Sequence, residues 1–534
     1  MRSRSLLALA ALFIAAATCA LGSTLGGVVM LLGGGLRPAV YTDFTRGVLP
    51  SAYYAYTGAS LRTITDATGA ITYAPNNLLL NSAALSTQGV TVYPTRNYML
   101  SFFGTGSITL SGSAVATLDG TGASNQVFLK ILAPTADTLT LTVTGSVTSA
   151  VLAAVTYETT PRPGDQVITQ AAAYYGPAFD FDPITHAPLG LRIEESRTNI
   201  FTYSNTFSNA AWVCSGCTVT QSGVSPDGTT NAWYQVPSAN TTLHEIRHTV
   251  VVTSVVPTLS VYIKQGGYRY VGLFQGGVSA TVFDTQLGTF NTLSGSQTST
   301  MTPVGNGWYR ATYTPASISA GPRLFGMGVS NSGSAYVANF LADGTSGVYL
   351  FGFQIETGSF PTSYIPTLAS SAARAADVVT LTGVAGKTLN ATNRSAVIET
   401  RNINLATIGG AASYLINFSG ATTDIIGRIT TPTTSVGLRA NNNMITTTVG
   451  YGGDYSADTL RTGATWTNST SSIVSGQGQV ASQPYTMNTS ATIYVGSRDG
   501  PNNAINGYVC KLVIYNTALT ASQLQARTRL GASF

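Results

Sequence analysis

Two histidines and a glutamate stand at a spacing that can hold zinc. His244 and His248 lie four residues apart with Glu245 beside the first. On a helix this arrangement gives two imidazole ligands and a carboxylate that activates water. The flanking residues 240–242 and 249–253 are rich in Thr and Val, which favour strands. In a strand the imidazoles lie about 13 Å apart, at about 3.3 Å per residue, and cannot share an ion. The sequence therefore predicts a strand, no metal site and no zinc-dependent hydrolysis.

A cysteine pair raises a second metal or redox question. Cys214 and Cys217 have the CxxC spacing of zinc knuckles and redox pairs, but no second CxxC completes a tetrahedral site. If the chain is exported, a disulfide is expected. If it assembles in the cytoplasm, two free thiols are expected. The pair reports on the compartment more than on chemistry.

No other catalytic arrangement stands out. There is no Gly-x-Ser-x-Gly nucleophile elbow, and Gly104-Thr105-Gly106 lacks the Lys that completes a phosphate loop. Only 21 of the 534 residues are acidic. A pair such as Asp180 and Asp182 gives no sign of facing each other across a cleft, as a glycosidase requires. The sequence predicts no catalytic residue, no cofactor and no enzyme activity.

Aromatic side chains remain as candidate binding groups. Flat rings stack on the apolar faces of sugars beside a few polar groups. The candidates are Tyr268, Tyr270, Trp212 and Trp233. Tyr268 and Tyr270 are two residues apart, which on a strand places both rings on one face and makes them the better candidates for an exposed pair. Packing in a core or at a strand edge is nevertheless the favoured interpretation of these rings.

Composition and periodicity describe the elements that must position these residues. Charged residues make up 9% of the chain, and its net charge of +5 includes no basic run, which argues against nucleic-acid binding. Residues 138–144 alternate Thr with apolar residues, as a half-buried strand does. Similar short segments recur between turns, and only 520–527 reads as a helix, with Thr520 as N-cap. The predicted fold class is all-β: tandem antiparallel β-sandwich or jelly-roll domains with a short C-terminal helix.

Two ordered signatures frame the centre of the chain. The opening segment is LGLRIEESRTN at 189–199, the closing segment is QIETGSFPTSYIPT at 354–367, and GWYR lies between them at 307–310. This order resembles the phage head spike and tail fibre family. The resemblance implies a virion structural protein with a carbohydrate-binding type β-sandwich, other virion proteins as partners and a homo-oligomer. It also implies that Glu194, Arg197 and Asn199 hold a linker against the sandwich by hydrogen bonds.

The last part of the chain carries a different signature. The segments ATIYVG at 491–496, NGYVCKLVIYN at 506–516 and ALTASQL at 518–524 resemble the closing strands of a laminin-G-like, concanavalin A-like jelly roll. Such folds often bind carbohydrates, although fold alone does not establish that function.

Turn-rich boundary segments and an internal sequence similarity give the predicted domain map. Residues 77–82 resemble 199–204, which predicts two related sandwiches in tandem. The map is 1–35 as signal peptide or membrane anchor, 36–75 as the N-terminal segment of the fibre family, 76–157 as an inserted sandwich, 158–177 as linker, 178–377 as the central sandwich and 378–534 as the jelly roll. Arg2 and Arg4 precede an apolar stretch within 6–36 that is long enough for an anchor. The alternative is a true start at Met30.

These observations together predict a non-enzymatic phage or prophage structural protein that binds a bacterial surface glycan. It would reside in the virion or outside the cell. A secreted or surface-anchored bacterial adhesin is the alternative, and a tail-spike polysaccharide depolymerase is a weaker one.

Overall fold

The computed structural model describes most of the chain from residue 38 onward. The described residues are 38–529 apart from 94–95, 134, 136, 254, 277–278, 294–296, 335, 337–338, 383–392, 405–412, 419–423, 432–434, 441–442, 449–458, 468–469, 476–480 and 485–491. The predicted signal or anchor at 1–35, and the alternative start at Met30, lie outside them. Within the described part, no helix has both the length and the apolarity needed to cross a bilayer.

Antiparallel strands form nearly all of the regular structure. The first sixteen are β1 (Val40–Asp43), β2 (Tyr54–Thr57), β3 (Thr63–Thr65), β4 (Ile71–Tyr73), β5 (Asn76–Asn77), β6 (Gln88–Val92), β7 (Arg96–Gly104), β8 (Ser107–Gly112), β9 (Ala116–Asp119), β10 (Gly122–Ala133), β11 (Asp137–Thr144), β12 (Val147–Val155), β13 (Tyr174–Tyr175), β14 (Ala178–Phe181), β15 (Pro188–Ile193) and β16 (Arg197–Asn199). Short 3-10 turns follow at Phe44–Arg46 and Pro163–Asp165.

The centre of the chain adds fifteen strands. They are β17 (Val213–Ser215), β18 (Cys217–Gln221), β19 (Trp233–Pro237), β20 (Thr241–Leu243), β21 (Glu245–Val252), β22 (Pro257–Gln265), β23 (Tyr270–Gln275), β24 (Ser279–Asp284), β25 (Thr289–Thr292), β26 (Thr298–Pro303), β27 (Trp308–Thr314), β28 (Gly321–Ser330), β29 (Asn339–Leu341), β30 (Val348–Thr357) and β31 (Ala372–Arg374).

The last part adds eleven strands and a helix. They are β32 (Val378–Leu381), β33 (Arg394–Arg401), β34 (Ser413–Asn417), β35 (Asp424–Thr431), β36 (Ser435–Ala440), β37 (Asn443–Thr448), β38 (Thr459–Trp466), β39 (Thr470–Ser475), β40 (Ala481–Pro484), β41 (Ile493–Val495), β42 (Gly507–Tyr515) and α1 (Ala521–Thr528). The helix begins with a capping box, in which Thr520 and Gln523 satisfy each other's backbone amides. The predicted all-β class and the short C-terminal helix are both confirmed.

The first sandwich packs a three-stranded sheet, β10-β7-β12, against a four-stranded sheet, β6-β11-β8-β9. Its core takes Leu100 and Phe102 from one sheet and Leu139 and Leu141 from the other. Thr140 and Thr142, which alternate with these leucines, remain partly or fully exposed. This is the period-two pattern that the sequence predicts for a strand with one wet face.

The second sandwich packs two six-stranded sheets. Their strand orders are β17-β21-β28-β23-β24-β25 and β18-β19-β30-β22-β27-β26. Val271 and Leu273 of β23 enter the core with Phe283 of β24, so their alternate neighbours face outward. Both sandwiches lie in one compact unit, made of residues 57–187 and 196–376.

Among the described residues, the other compact unit draws its chain from three places: 38–56, 188–195 and the part from 377 to 529. Its sheets are β15-β42-β33-β38-β39-β40 and β2-β32-β41-β34-β35-β36-β37. The strand β42 is central, since β33 pairs with it along one edge while β1 and β15 pair with it along the other. The predicted map assigned β1 and β15 to other modules, but both strands complete the sheet of the C-terminal sandwich. Strand pairing across such distances leaves no local trace in a sequence.

A repeated hydrogen-bond set anchors the second sandwich. Asn199 is fully buried, and its Oδ1 accepts hydrogen bonds from the amides of Phe201 at 3.2 Å and Ile355 at 3.1 Å. Its Nδ2 donates to the carbonyls of Phe353 at 3.2 Å and Ile365 at 2.9 Å. One side chain therefore joins the strand that enters the sandwich, the last strand and the segment that follows it.

The first sandwich has the same set. Asn77 Oδ1 accepts from the amides of Leu79 and Leu152, both at 3.2 Å. Its Nδ2 donates to the carbonyls of Ala150 at 3.0 Å and Val167 at 2.9 Å. The acceptor and donor pattern matches that of the second sandwich contact for contact.

A serine and a threonine complete each set. Ser204 Oγ accepts from the amide of Thr367 at 2.8 Å, and Ser82 Oγ accepts from the amide of Thr169 at 2.9 Å. We call Asn77, Ser82 and Thr169 the first latch and Asn199, Ser204 and Thr367 the second latch. The matching residues of 77–82 and 199–204 thus make the same hydrogen bonds in the two sandwiches. The predicted linker at 158–177 is the closing part of the first sandwich, because it supplies Thr169.

Candidate functional site

The histidine pair lies in and beside a strand and has structural partners. His244 immediately precedes β21, is fully buried, and places its ring nitrogens 2.6 Å from the Gly216 carbonyl and 2.8 Å from the Phe340 carbonyl. His248 contacts the Thr202 hydroxyl at 3.0 Å. Among the described residues, no group of three or more His, Cys, Asp or Glu side chains could hold a metal ion.

The cysteines also have structural surroundings. Cys214 and Cys217 form a disulfide across the turn that contains Gly216. Cys510, in the other unit, is a buried thiol, and burial raises its pKa to about 12. A thiol of that pKa carries almost no nucleophilic thiolate at neutral pH.

Two of the candidate sugar-binding rings belong to the core. Trp212 and Trp233 are 5% and 6% exposed and pack in the core of the second sandwich. Their indole N–H groups donate to the carbonyls of Tyr203 and Asn205. The prediction that these rings bind carbohydrate is wrong, because neither presents a free face.

The tyrosine pair is divided between two environments. The strand β23 begins at Tyr270, so Tyr268 precedes it and does not share its face. Tyr268 packs edge-on against Phe340 at 5.5 Å, beside the core. Tyr270 stands on the outer face of the sheet and lines an open depression of about 410 Å³. Only one member of the predicted pair is therefore placed to meet a ligand.

Strand register builds this depression. Tyr270 pairs with Asp284, which pairs with Thr289, and this row crosses β23, β24 and β25. In the next row, Val282 pairs with Asn291. Since side chains at paired positions point to the same face, these residues form one surface. They line the depression together with Phe290, Gly333 and Ser334.

A crossing segment forms one wall of the depression. The ring of Tyr336 lies on Gly272, where a Cβ would come within 2.2 Å of the ring. The same ring stacks on Phe274 at 5.6 Å, and its hydroxyl donates to Glu245 at 2.8 Å. Gly333 lies against Tyr270, where a Cβ would come within 2.7 Å of that ring. The absence of side chains at both glycines lets the segment lie close to the sheet.

Charged hydrogen bonds fix the orientation of the Asp284 carboxylate. Arg269 donates to both oxygens of Asp284, from Nε at 2.7 Å and from Nη2 at 2.5 Å. Burial opposes ionisation of Asp284, but hydrogen bonds from Arg269 and from the backbone amides of Leu287 and Gln286 together outweigh it and lower the pKa of this carboxyl below its ordinary value. The guanidinium also lies 5.2 Å from the ring centre of Tyr270. The depression thus offers a ring, a fixed carboxylate, an amide and a hydroxyl.

Sequence reasoning found Tyr270 and missed its neighbours. Asp284 and Asn291 are ordinary polar residues in the sequence, and their relation to Tyr270 depends on the register of β24 and β25. The detectable signal was Val282-x-Asp284 followed by Thr289-x-Asn291, two period-two pairs joined by a turn at 285–288.

Comparisons with known proteins give a limited result. No protein family and no curated protein matches the chain. Among solved structures, it is weakly similar to domains LG4-5 of the mouse laminin alpha1 chain, with 13% identity, 55% of this chain and 93% of that chain covered, and a TM-score of 0.18. It is also weakly similar to the LG1-3 region of the laminin alpha2 chain, with 9% identity, 82% and 97% covered, and a TM-score of 0.13. At such TM-scores neither likeness carries an argument about function, and the all-β class rests on the strands themselves.

Proposed function

We propose that this protein is a non-enzymatic glycan-binding protein and that the outer face of β23–β25 binds the sugar. The observation that carries the proposal is the depression of about 410 Å³ lined by Tyr270, Asp284 and Asn291. Its volume falls within the usual range of small-ligand sites, roughly 300–1,000 Å³. An aromatic ring stacks on the apolar face of a sugar, while the carboxylate and the amide receive and donate hydroxyl hydrogen bonds.

The chemistry of the depression favours binding over cleavage. Among the described residues that line the depression, Asp284 is the only one with a carboxylate, whereas glycoside hydrolysis ordinarily needs two facing carboxyl groups. Asp284 is also engaged by Arg269 through both oxygens. A depolymerase role is therefore the weakest candidate.

The biological setting that we propose is a phage or prophage virion, as a head spike or tail fibre component with other virion proteins as partners. The resemblance of 189–199 and 354–367 to that family supports this setting. Such proteins act as multimers, in which several weak sugar sites together give firm attachment. A homo-oligomer is part of the proposal.

The second candidate is a secreted or surface-anchored bacterial adhesin. It is favoured by the Cys214–Cys217 disulfide, because disulfides persist in oxidising, extracytoplasmic environments. The signal or anchor predicted for 1–35 favours it too. Both candidates use the same sugar-binding face and differ in the particle that carries it.

The test is a glycan array probed with the multimerised chain, in wild-type form and as Tyr270→Ala and Asn291→Ala variants. Loss of a stacking ring costs about 1–1.5 kcal/mol, so Tyr270→Ala should weaken binding about tenfold per site. The matched control is Val251→Ala, on the same sheet but outside the depression and 74% exposed. If no glycan or bacterial envelope preparation is bound, or if Tyr270→Ala binds as well as Val251→Ala does, the proposal is wrong.

A further inference from the structure

A second cavity lies between the two sandwiches of one compact unit. It measures about 80 Å³, and its walls come from both sides. The side of the first sandwich supplies Tyr73, Tyr93 and Arg96, and the second sandwich supplies Thr206, Asp227 and Asn231. It has no residue in common with the depression at Tyr270.

An arginine without a counter-ion stands in this cavity. The guanidinium carbon of Arg96 lies 5.0 Å from the ring centre of Tyr73 and 4.8 Å from that of Tyr93. The rings hold it by cation–π contacts, and the guanidinium also hydrogen-bonds the side chains of Tyr73 and Tyr98. A guanidinium has five N–H groups, so donors remain for a ligand. Among the described residues, no carboxylate forms an ion pair with Arg96. A partly buried cation of this kind favours an anionic partner.

The opposite wall carries two polar side chains, those of Asp227 and Asn231, whose hydrogen-bonding capacity the protein uses only in part. Asp227 Oδ1 accepts from Ser225 Oγ at 2.5 Å and from the amide and hydroxyl of Thr229 at 3.0 and 2.6 Å. Within the described residues, no other residue hydrogen-bonds Asp227 Oδ2 or Asn231 Nδ2, although the Asp227 carboxylate also accepts from its own backbone amide. The cavity therefore presents a guanidinium and an amide N–H as donors and one carboxylate oxygen as acceptor.

We propose that this cavity binds the terminal, carboxylate-bearing unit of an acidic sugar. The ligand carboxylate pairs with the Arg96 fork, since guanidinium and carboxylate match in two parallel hydrogen bonds. A ring hydroxyl donates to Asp227 Oδ2, and Asn231 Nδ2 donates to a second ligand oxygen. A simple anion would leave Asp227 facing it without a hydrogen bond, so the site selects an anion that also bears hydroxyls.

Size decides which part of a glycan enters. A single water needs on the order of 10–15 Å³, so a cavity of about 80 Å³ has room for several waters. That space suits one end of a sugar and excludes a polymer chain passing through. The cavity also exists only because the segment 76–157 is present, which gives the inserted sandwich a role in recognition.

The experiment is isothermal titration calorimetry of the full chain with glucuronate, with glucose as the neutral sugar of matched shape and with acetate as the bare carboxylate. We expect glucuronate to bind and both glucose and acetate to bind at least tenfold more weakly. Equal binding of glucose, equal binding of acetate, or no binding of glucuronate at millimolar concentration overturns the proposal.

Variants assign the binding to the cavity. Arg96→Gln should weaken glucuronate binding at least tenfold, and Arg96→Lys, which keeps the charge and loses the fork, should weaken it less. Asn231→Ala tests the opposite wall and should cost severalfold even if Arg96→Gln fails to fold. Val251→Ala, an exposed change that lines neither the cavity nor the depression, should leave glucuronate binding unchanged. Unchanged binding in both Arg96→Lys and Asn231→Ala places the sugar elsewhere and overturns the proposal.

Discussion

Replacing Asn199 with alanine should destabilise the second sandwich more than almost any other single polar substitution. The change removes four hydrogen bonds of 2.9 to 3.2 Å from a fully buried side chain. Each is worth about 1 kcal/mol net, and each leaves a backbone group without its partner. We therefore expect the free energy of unfolding to fall by about 3–5 kcal/mol, a large part of the roughly 5–15 kcal/mol of a typical domain.

The assay is urea unfolding followed by tryptophan fluorescence. The second sandwich contains Trp212, Trp233 and Trp308, whereas the first contains no tryptophan. Asn199→Ala should thus shift the fluorescence transition to lower urea. Asn77→Ala, the matched change in the first latch, should lose a similar free energy that circular dichroism detects.

The control is Asn240→Ala, which removes an exposed amide from a turn and should change stability by less than about 0.5 kcal/mol. If Asn199→Ala unfolds at the same urea concentration as Asn240→Ala, then the latch does not stabilise the sandwich and the reasoning fails. An Asn77→Ala protein with wild-type stability would limit the argument to the second latch.

Three further predictions concern the histidines and the discontinuous unit. The His244→Ala protein should still fold but should melt at a lower temperature than the wild type, because the change removes a buried ring that bridges two carbonyls. Metal analysis of the wild type should find no stoichiometric zinc. Burial lowers the pKa of His248 below its ordinary 6.5, so the stability it supports is complete above pH 6.5 and declines as pH falls below that value. His248→Phe should flatten this slope in thermal melts between pH 7 and 5.5. A fragment of residues 378–534 alone should lack a cooperative melt, because it omits β1 and β15, and adding 38–56 and 188–195 in one chain should restore it. A sharp melt of the short fragment would contradict the strand pairing.

The sequence predicts features that depend on a few neighbouring residues. It does not predict features that depend on which distant segments pack over a side chain. The strand around His248 and the capped helix at 521–528 follow from β-branched flanks and from capping chemistry, both of which are readable over a few residues. The resemblance between 77–82 and 199–204 was readable too, since a side chain with four fixed backbone partners constrains its neighbours. Its closing half, Val167-x-Thr169 against Ile365-x-Thr367, was equally present and was missed.

The candidate site shows the same division. Period-two reasoning put Tyr268 and Tyr270 on one face, which fails because the strand begins after Tyr268, and only Tyr270 lies on the outer face. Whether a tryptophan binds or packs depends on what lies over it, and Trp212 is covered by Phe201 and Phe207 from a segment without regular structure. Acidic and amide neighbours such as Asp284 acquire a role only through strand register, which no short pattern specifies.

The position of β42 sets the order in which the chain can mature. Val40 pairs with Ile514 and Leu191 pairs with Val509, so both strands must wait for a partner that is synthesised several hundred residues later. At about 5–20 residues per second, the ribosome needs on the order of half a minute to a minute and a half to deliver it. During that interval the first and second sandwiches can close, because all of their strands precede residue 376. The earliest strands would meanwhile present unpaired edges, which invite pairing between nascent chains. Slower elongation should therefore lower the yield of the C-terminal sandwich more than that of the other two.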